Sequence, residues 1–223
     1  MRHYLSIRDF SGAETRSVLD RAVRLKRERG SAAYRPLEGE TWALLFTKSS
    51  TRTRISFEVG LRELGAQVLF LSPADIQLGR GEPLKDTARV MGRMLHGAVI
   101  RTFAHADVQE FARESGIITV NALTDDEHPC QILADIFTIE ERLGSVAGRT
   151  VAFIGDGACN VPRSWCLAAG LLDFQLVVAA PRGYQPAETH RNVRVTESVE
   201  DAVRGADVLY TDVWVSMGME SEK

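Results

Sequence analysis

Cysteine is scarce in this sequence, and no sign of charge dominates it. The three cysteines, Cys130, Cys159 and Cys166, are an odd number without framework spacing, which excludes a disulfide-stapled secreted scaffold and favours a reducing compartment. No apolar run approaches the ~18 residues of a membrane span, so no membrane partner is predicted. The stretch from Met1 to Phe10 lacks the apolar core of a signal peptide and runs straight into a helical pattern, so it reads as mature protein and the expected location is the cytoplasm. With 27 Lys+Arg against 30 Asp+Glu, the formal net charge of −3 excludes a broad basic face, and nucleic acid is not expected as a partner. A local basic site remains compatible with that balance. Low-complexity tracts and internal repeats are missing as well.

What is present is an ordinary globular composition, 44% hydrophobic and 26% charged, in 223 residues. That length suits one large α/β domain or two modest ones. Ser11 with Glu14 three residues on predicts a capping box, followed by Val18, Leu19, Ala22, Val23 and Leu25 on one helical face and a stop near Gly30. Trp42 to Phe46 reads as a strand. Ile55, Val59 and Leu61 then suggest a helix closed by Gly65, and Val68 to Leu71 a second buried strand. Pro83 suits the first position of a helix carrying Val90, Met91 and Met94. Val99 to Phe103 and Ile117 to Leu123 read as strands around a short helix from Val108 to Arg113, and Pro129 to Leu143 as a longer helix.

The chain loosens around Gly144 to Arg149, and a second series begins. Val151 to Ile154, Leu176 to Ala180 and Val208 to Tyr210 read as strands, with helices over Ser164 to Leu172 and Val199 to Val203. The alternation argues for α/β architecture, with parallel sheets covered on both faces. We expect two doubly wound domains, 1–143 and 144–223, the second small and ending soon after a strand as though incomplete.

Four segments carry chemistry. Ser50-Thr51-Arg52-Thr53-Arg54, after a strand and opening a helix, gathers hydroxyls, guanidiniums, backbone N–H groups and a positive helix end at one point, which suits an anion such as phosphate. Arginine is a poor choice for a mere N-terminal turn. The glycines and Lys-Ser/Thr pair of a Walker loop are missing. His128-Pro129-Cys130-Gln131 places Pro129 at a helix start, so that His128 and Gln131 project from that end, where a histidine could donate to an oxyanion. From the segment alone, a histidine before a proline is more often a simple cap or a surface residue.

Gly155-Asp156-Gly157-Ala158-Cys159-Asn160 follows a strand as a dinucleotide loop would. Asn160 replaces the third glycine, and the next strand ends in Ala180-Pro181 without a ribose-binding acid, so a glycine turn presenting Asn160 is favoured. Asp212 follows a strand, where α/β sheets place ligand contacts, and could pair with an ammonium group. Backbone groups around Ser216-Met217-Gly218 could hold a carboxylate or amide. A capping aspartate with an ordinary turn remains an open alternative there. The histidines and cysteines show no metal-ligand spacing, and no G-x-S-x-G motif occurs.

Taken together, FTKSSTRTRISFEVG (46–60), HPCQILAD (128–135), GDGACN (155–160) and DVWVSMG (212–218) resemble the aspartate/ornithine carbamoyltransferase family, and its ornithine-using branch in particular. The resemblance implies a carbamoyl-phosphate-binding domain followed by an ornithine-binding domain, with the active site in the cleft between them. It implies carbamoyl phosphate held by Ser50, Thr51, Arg52 and Thr53 with Arg101, His128 and Gln131, the catalytic pair being Arg101 and His128. Gln77 matches a position that reaches a neighbouring subunit's site in a homotrimer or a multiple of one. Asn160, Asp212, Ser216 and Met217 match ornithine-holding positions. The implied reaction gives citrulline and phosphate, in arginine biosynthesis or ornithine and citrulline metabolism, and needs no metal or organic cofactor. The sequence departs from the family between Ala180 and Val208, where a fuller helix is usual, and ends before the family's later cysteine and arginine. The alternatives that follow are a carbamoyl-phosphate-binding protein impaired in turnover, or transfer to another amine such as putrescine or a modified ornithine; a dinucleotide-dependent reductase is more remote.

Overall fold

The computed structural model describes residues 2–31, 34–72, 74, 76 and 81–213. It divides into two compact units, Met1–Asp125 and Asp126–Lys223. The helix Pro129–Leu143 therefore groups with the second unit.

In the first unit a short 3-10 helix (Ile7–Asp9) precedes α1 (Gly12–Arg27), β1 (Thr41–Phe46), α2 (Thr51–Glu63), β2 (Gln67–Leu71), α3 (Leu84–Met91), β3 (Gly97–Arg101), α4 (His105–Ser115) and β4 (Ile118–Leu123). The strands form one parallel sheet in the order β2-β1-β3-β4. Alternation along β1 decides its two faces, because successive side chains of a strand point oppositely. Ala43 and Leu45, with Ala98 and Ile100, pack on Ala88 and Met91 of α3 and Val108 and Phe111 of α4. Trp42, Leu44 and Phe46 face the other way, with Val99, toward Leu61 of α2. A strand buried on both faces cannot alternate polar and apolar, which is why TWALLF reads as a continuous run. Near the N-terminus Tyr4 pairs with Val120 as an isolated parallel bridge, extending the β4 edge.

The second unit holds α5 (Pro129–Leu143), β5 (Thr150–Ile154), α6 (Asn160–Leu172), β6 (Gln175–Ala179), β7 (Val193–Thr196), α7 (Val199–Val203) and β8 (Val208–Thr211). Its parallel sheet runs β7-β6-β5-β8. Ala152, Val177 and Ala179 pack with Ala202 of α7 on one face. Elsewhere in this unit Trp165 of α6, fully buried, meets Phe174 and Tyr210 edge-on, and Tyr210 stacks on Phe153. Both units are thus doubly wound α/β sheets, as the strand-helix alternation predicts.

The Ser50–Arg54 run opens a helix as expected, as the cap and first turn of α2, with the Ser50 side chain accepting from Thr53 N. Several local expectations need correction. Ile55 and Val59 lie on that helix but are exposed. β2 is an edge strand with Leu69 47% exposed, not a buried one, since only β1 flanks it. Met94 falls beyond the end of α3 and is exposed, and Pro83 is the N-cap of α3 instead of its first residue. α6 starts at Asn160, a turn earlier than its apolar pattern suggests, and Pro162 fits because the first turn needs no internal N–H donors. Between β6 and α7 the chain forms the short strand β7, which the sequence pattern does not announce.

Candidate active site

Open parallel sheets bind ligands beyond the carboxyl ends of their strands, where the strand order reverses. In the first sheet that point lies between β1 and β3. Phe46 and Arg101, the last residues of these strands, are register partners. The chain leaving β1 stays tied to β3: the Thr47 backbone N–H donates to the Arg101 carbonyl oxygen (2.9 Å), and the Thr47 hydroxyl meets that oxygen (3.3 Å) and Thr102 Oγ1 (3.0 Å). Ser50 then caps α2, accepting from Thr53 N (3.3 Å) while its hydroxyl lies 2.9 Å from Thr53 Oγ1.

The electrostatics favour an anion. α2 has no acidic residue in its first turn, so its positive end is not neutralised from within. Its two early arginines are not equivalent. Arg54 lies over the Phe70 ring, 3.5 Å from its centroid, and reaches Glu58 at 3.6 Å. These contacts belong to an open cavity of about 710 Å³ lined by Ser49, Ser50, Thr51, Arg54, Ile55, Glu58 and Phe70. Arg52 is exposed and, among the described residues, carries no ion pair. Arg101 is only 3% exposed, and its Nε has no hydrogen-bond partner among the described residues. Burial pushes its pKa down from the usual arginine value. A buried guanidinium without a carboxylate is costly unless something else supplies the negative charge. Nearby, Lys48 is paired with Asp125 (2.7 Å) and lies over Phe103.

In the second sheet the reversal falls between β5 and β8, whose ends Ile154 and Thr211 are register partners. Asn160 opens α6 on the β5 side, and Asp212 follows β8, exposed, accepting from Val213 N (2.8 Å). Gly155 has φ +144°, in the region that favours glycine, and a Cβ on Gly157 would lie 2.9 Å from the Tyr184 carbonyl oxygen. The glycines of GDG therefore serve a tight turn and close backbone packing. His128 is the N-cap of α5, with Pro129 at its first position. Its backbone N–H donates to Ser164 Oγ (2.9 Å), and Ser164 donates in turn to the Asn160 carbonyl oxygen (2.9 Å), joining the starts of α5 and α6. Gln131 donates through Nε2 to Asp135 Oδ1 (2.9 Å), whose Oδ2 accepts from the Tyr210 hydroxyl (2.8 Å).

Among the sequence-derived site residues, Ser50, Thr51, Arg52, Thr53 and Arg101 gather at the switch point of the first sheet. His128, Gln131, Asn160 and Asp212 lie in the second unit, at the starts of α5 and α6 and after β8. Gln77, Ser216 and Met217 lie outside the described residues. Thr47, Asp135 and Tyr210 were not anticipated. The four-residue spacing of Gln131 and Asp135 within HPCQILAD was a usable signal, whereas the approach of Tyr210 depends on tertiary structure. Among the described residues no group of three or more His, Cys, Asp or Glu is placed to hold a metal ion.

Two open α/β sheets, the first with hydroxyls, a helix start bare of acids and a buried guanidinium at its switch point, have the donor chemistry that suits small anionic substrates. Residues 2–141 match the family model for the aspartate/ornithine carbamoyltransferase carbamoyl-P binding domain, and residues 147–223 that for the Asp/Orn binding domain. The chain belongs to the aspartate/ornithine carbamoyltransferase family. It is 56% identical to an ornithine carbamoyltransferase of Akkermansia muciniphila, over 100% of this chain and 75% of the relative. It is 50% identical to the anabolic ornithine carbamoyltransferase of Pseudomonas aeruginosa, over 100% of this chain and 74% of the relative. The solved ornithine carbamoyltransferase of Pyrococcus furiosus superposes with a TM-score of 0.92 at 40% identity, covering 99% of this chain and 74% of that one.

Proposed function

We infer that this protein transfers the carbamoyl group of carbamoyl phosphate to the side-chain amine of ornithine, giving citrulline and phosphate, the chemistry of arginine biosynthesis. The observation that carries the reading is Arg101, a buried guanidinium with no carboxylate partner among the described residues, tied through its carbonyl to the segment that leads into the Ser50 cap. Such a site is completed by an anion, and the family match supplies which anion. Relatives at 56% and 50% identity that carry the name ornithine carbamoyltransferase support the second substrate.

In this reading Ser50, Thr51, Arg52 and Thr53 hold the phosphate through hydroxyls, first-turn N–H groups and the Arg52 fork. The neutral amine of ornithine attacks the carbamoyl carbon, forming a C–N bond and a tetrahedral oxyanion, which Arg101 and His128 stabilise. The C–O bond to phosphate then breaks, phosphate leaves with the electron pair, and the amine loses a proton. Gln131 contacts the carbamoyl group, while Asn160, Asp212, Ser216 and Met217 hold the amino-acid end of ornithine. Holding both reactants in line supplies much of the rate. The proposed assembly is a homotrimer, and the enzyme works in the cytoplasm. No described helix is long and apolar enough to cross a membrane.

The deciding experiment is citrulline formation from carbamoyl phosphate and ornithine. Turnover with ornithine is the expected result. Turnover with putrescine alone would replace the second substrate, and carbamoyl phosphate binding without turnover would reduce the protein to a binder.

A further inference from the structure

The Gln131 side chain is held in one orientation. Its amide nitrogen donates to Asp135 Oδ1 at 2.9 Å, and the second carboxylate oxygen accepts from Tyr210 at 2.8 Å. Burial pushes the Asp135 pKa up, yet both of its oxygens accept here, one from Gln131 and one from Tyr210, so Nε2 faces Asp135 and the carbonyl oxygen Oε1 faces away from it. Tyr210 is itself clamped, stacked on Phe153 with centroids 5.8 Å apart and met edge-on by Trp165 at 5.2 Å. Trp165 is fully buried. The network thus joins α5 to β8 and the aromatic core, which is more than a neighbouring pair on one helix surface would provide.

We propose that Asp135 and Tyr210 are positioning residues that turn the carbonyl oxygen of Gln131 outward as the acceptor for the N–H2 group of the carbamoyl substrate. The inference rests on the carbamoyl-phosphate reading above and deepens it. A carbamoyl group has an amide nitrogen and a carbonyl oxygen of similar size on one planar carbon, and shape alone distinguishes them poorly. An outward acceptor takes the nitrogen, leaving the oxygen for a donor such as His128. Reversing the Gln131 amide would present a donor and favour the opposite sense. The same acceptor selects against acyl phosphates without an N–H, such as acetyl phosphate.

The test compares binding of carbamoyl phosphate and of acetyl phosphate to the whole chain, by competition calorimetry, alongside citrulline formation. Asp135→Leu is expected to weaken carbamoyl phosphate about tenfold, the scale of one lost hydrogen bond, and to leave acetyl phosphate unchanged. Tyr210→Phe keeps the ring packing and is expected to give a loss of about threefold; it carries the test if Asp135→Leu does not fold. Asp135→Asn, whose oxygen still accepts from Gln131, should recover most of the discrimination. In a Gln131→Ala background Asp135→Leu should add nothing, because its effect passes through Gln131. Equal losses for both ligands, or a full further loss in the Gln131→Ala background, would assign Asp135 to the scaffold and overturn the proposal. Wild-type protein that makes no citrulline and binds the two ligands alike would instead overturn the functional reading, and this inference with it.

Discussion

Thr47 N donates to the carbonyl oxygen of Arg101 at 2.9 Å, so the segment leading to the α2 cap and the buried guanidinium are fixed to one another through the backbone. The Thr47 hydroxyl adds contacts to that oxygen and to Thr102. Thr47→Val preserves the backbone bond and removes the hydroxyl. It is expected to cost about 1 kcal/mol in urea unfolding and to weaken phosphate binding by calorimetry severalfold.

Arg101 separates stability from function. It is buried and has no carboxylate partner among the described residues, so it costs the fold desolvation energy in the absence of an anion. Arg101→Met, similar in length and uncharged, is expected to raise unfolding stability without ligand by about 1–3 kcal/mol. The same variant should lose carbamoyl phosphate binding and citrulline formation. A variant both less stable and still binding would contradict the assignment.

Ser50 has two roles that different substitutions can divide. Ser50→Ala removes the α2 cap and should cost about 1 kcal/mol. Ser50→Asp keeps a capping oxygen and adds negative charge at the positive helix end, so thermal stability should hold. Phosphate affinity should nevertheless fall by about tenfold or more, since the added charge repels the ligand. Melting curves with and without phosphate distinguish these outcomes.

Cys130 gives a pH prediction. It lies in the first turn of α5, where a helix start lowers thiol pKa values, but burial prevails and pushes it up from 9.0 to about 12. Above pH ~9 the unfolded thiol has lost a proton that the folded thiol retains, so stability falls as pH rises toward 12. Cys166, raised to about 11, acts in the same direction. Cys130→Ala should flatten the alkaline decline of urea midpoints between pH 9 and 11, and Cys130 in the wild type should react slowly with iodoacetamide at pH 8.

Gly157→Ala would set a Cβ 2.9 Å from the Tyr184 carbonyl oxygen and Val178 Cγ1, and 3.0 Å from Pro186 Cδ. A loss of about 1–3 kcal/mol is expected from overpacking. Added NAD should leave the wild-type melting temperature unchanged, because this glycine serves packing within the protein.

Much of the fold was legible because local signals and burial agreed. Ser11 and Glu14 form the predicted capping box, and Pro129 to Leu143 is helical over its predicted span. The errors fall where tertiary context decides. Leu69 has the sequence of a buried strand, yet β2 lies at the sheet edge, and strand order is not written in periodicity. β7 is only four residues long, too short for a pattern, and is held by pairing with β6. The start of α2 at Ser50, with hydroxyls and no acid in its first turn, was readable from the sequence. The burial of Arg101 with no carboxylate partner among the described residues was not, because it depends on what folding brings near. The Tyr210 hydrogen bond to Asp135 spans 75 residues of sequence, beyond any local signal.

The pairing of Phe46 with Arg101 also bears on how the molecule folds. β1 and β2 are joined by a single helix and can meet early, whereas β3 enters from far along the chain and must add to the opposite edge of β1. Non-local parallel pairing is slow because loop closure precedes its reward. Anion affinity should therefore emerge late in refolding, after helical signal has largely returned. A ligand that binds only the finished sheet then slows unfolding more than it speeds folding. In stopped-flow experiments phosphate should bend the unfolding limb and leave the refolding limb nearly untouched, so that this strand junction acts as a timer for the native state.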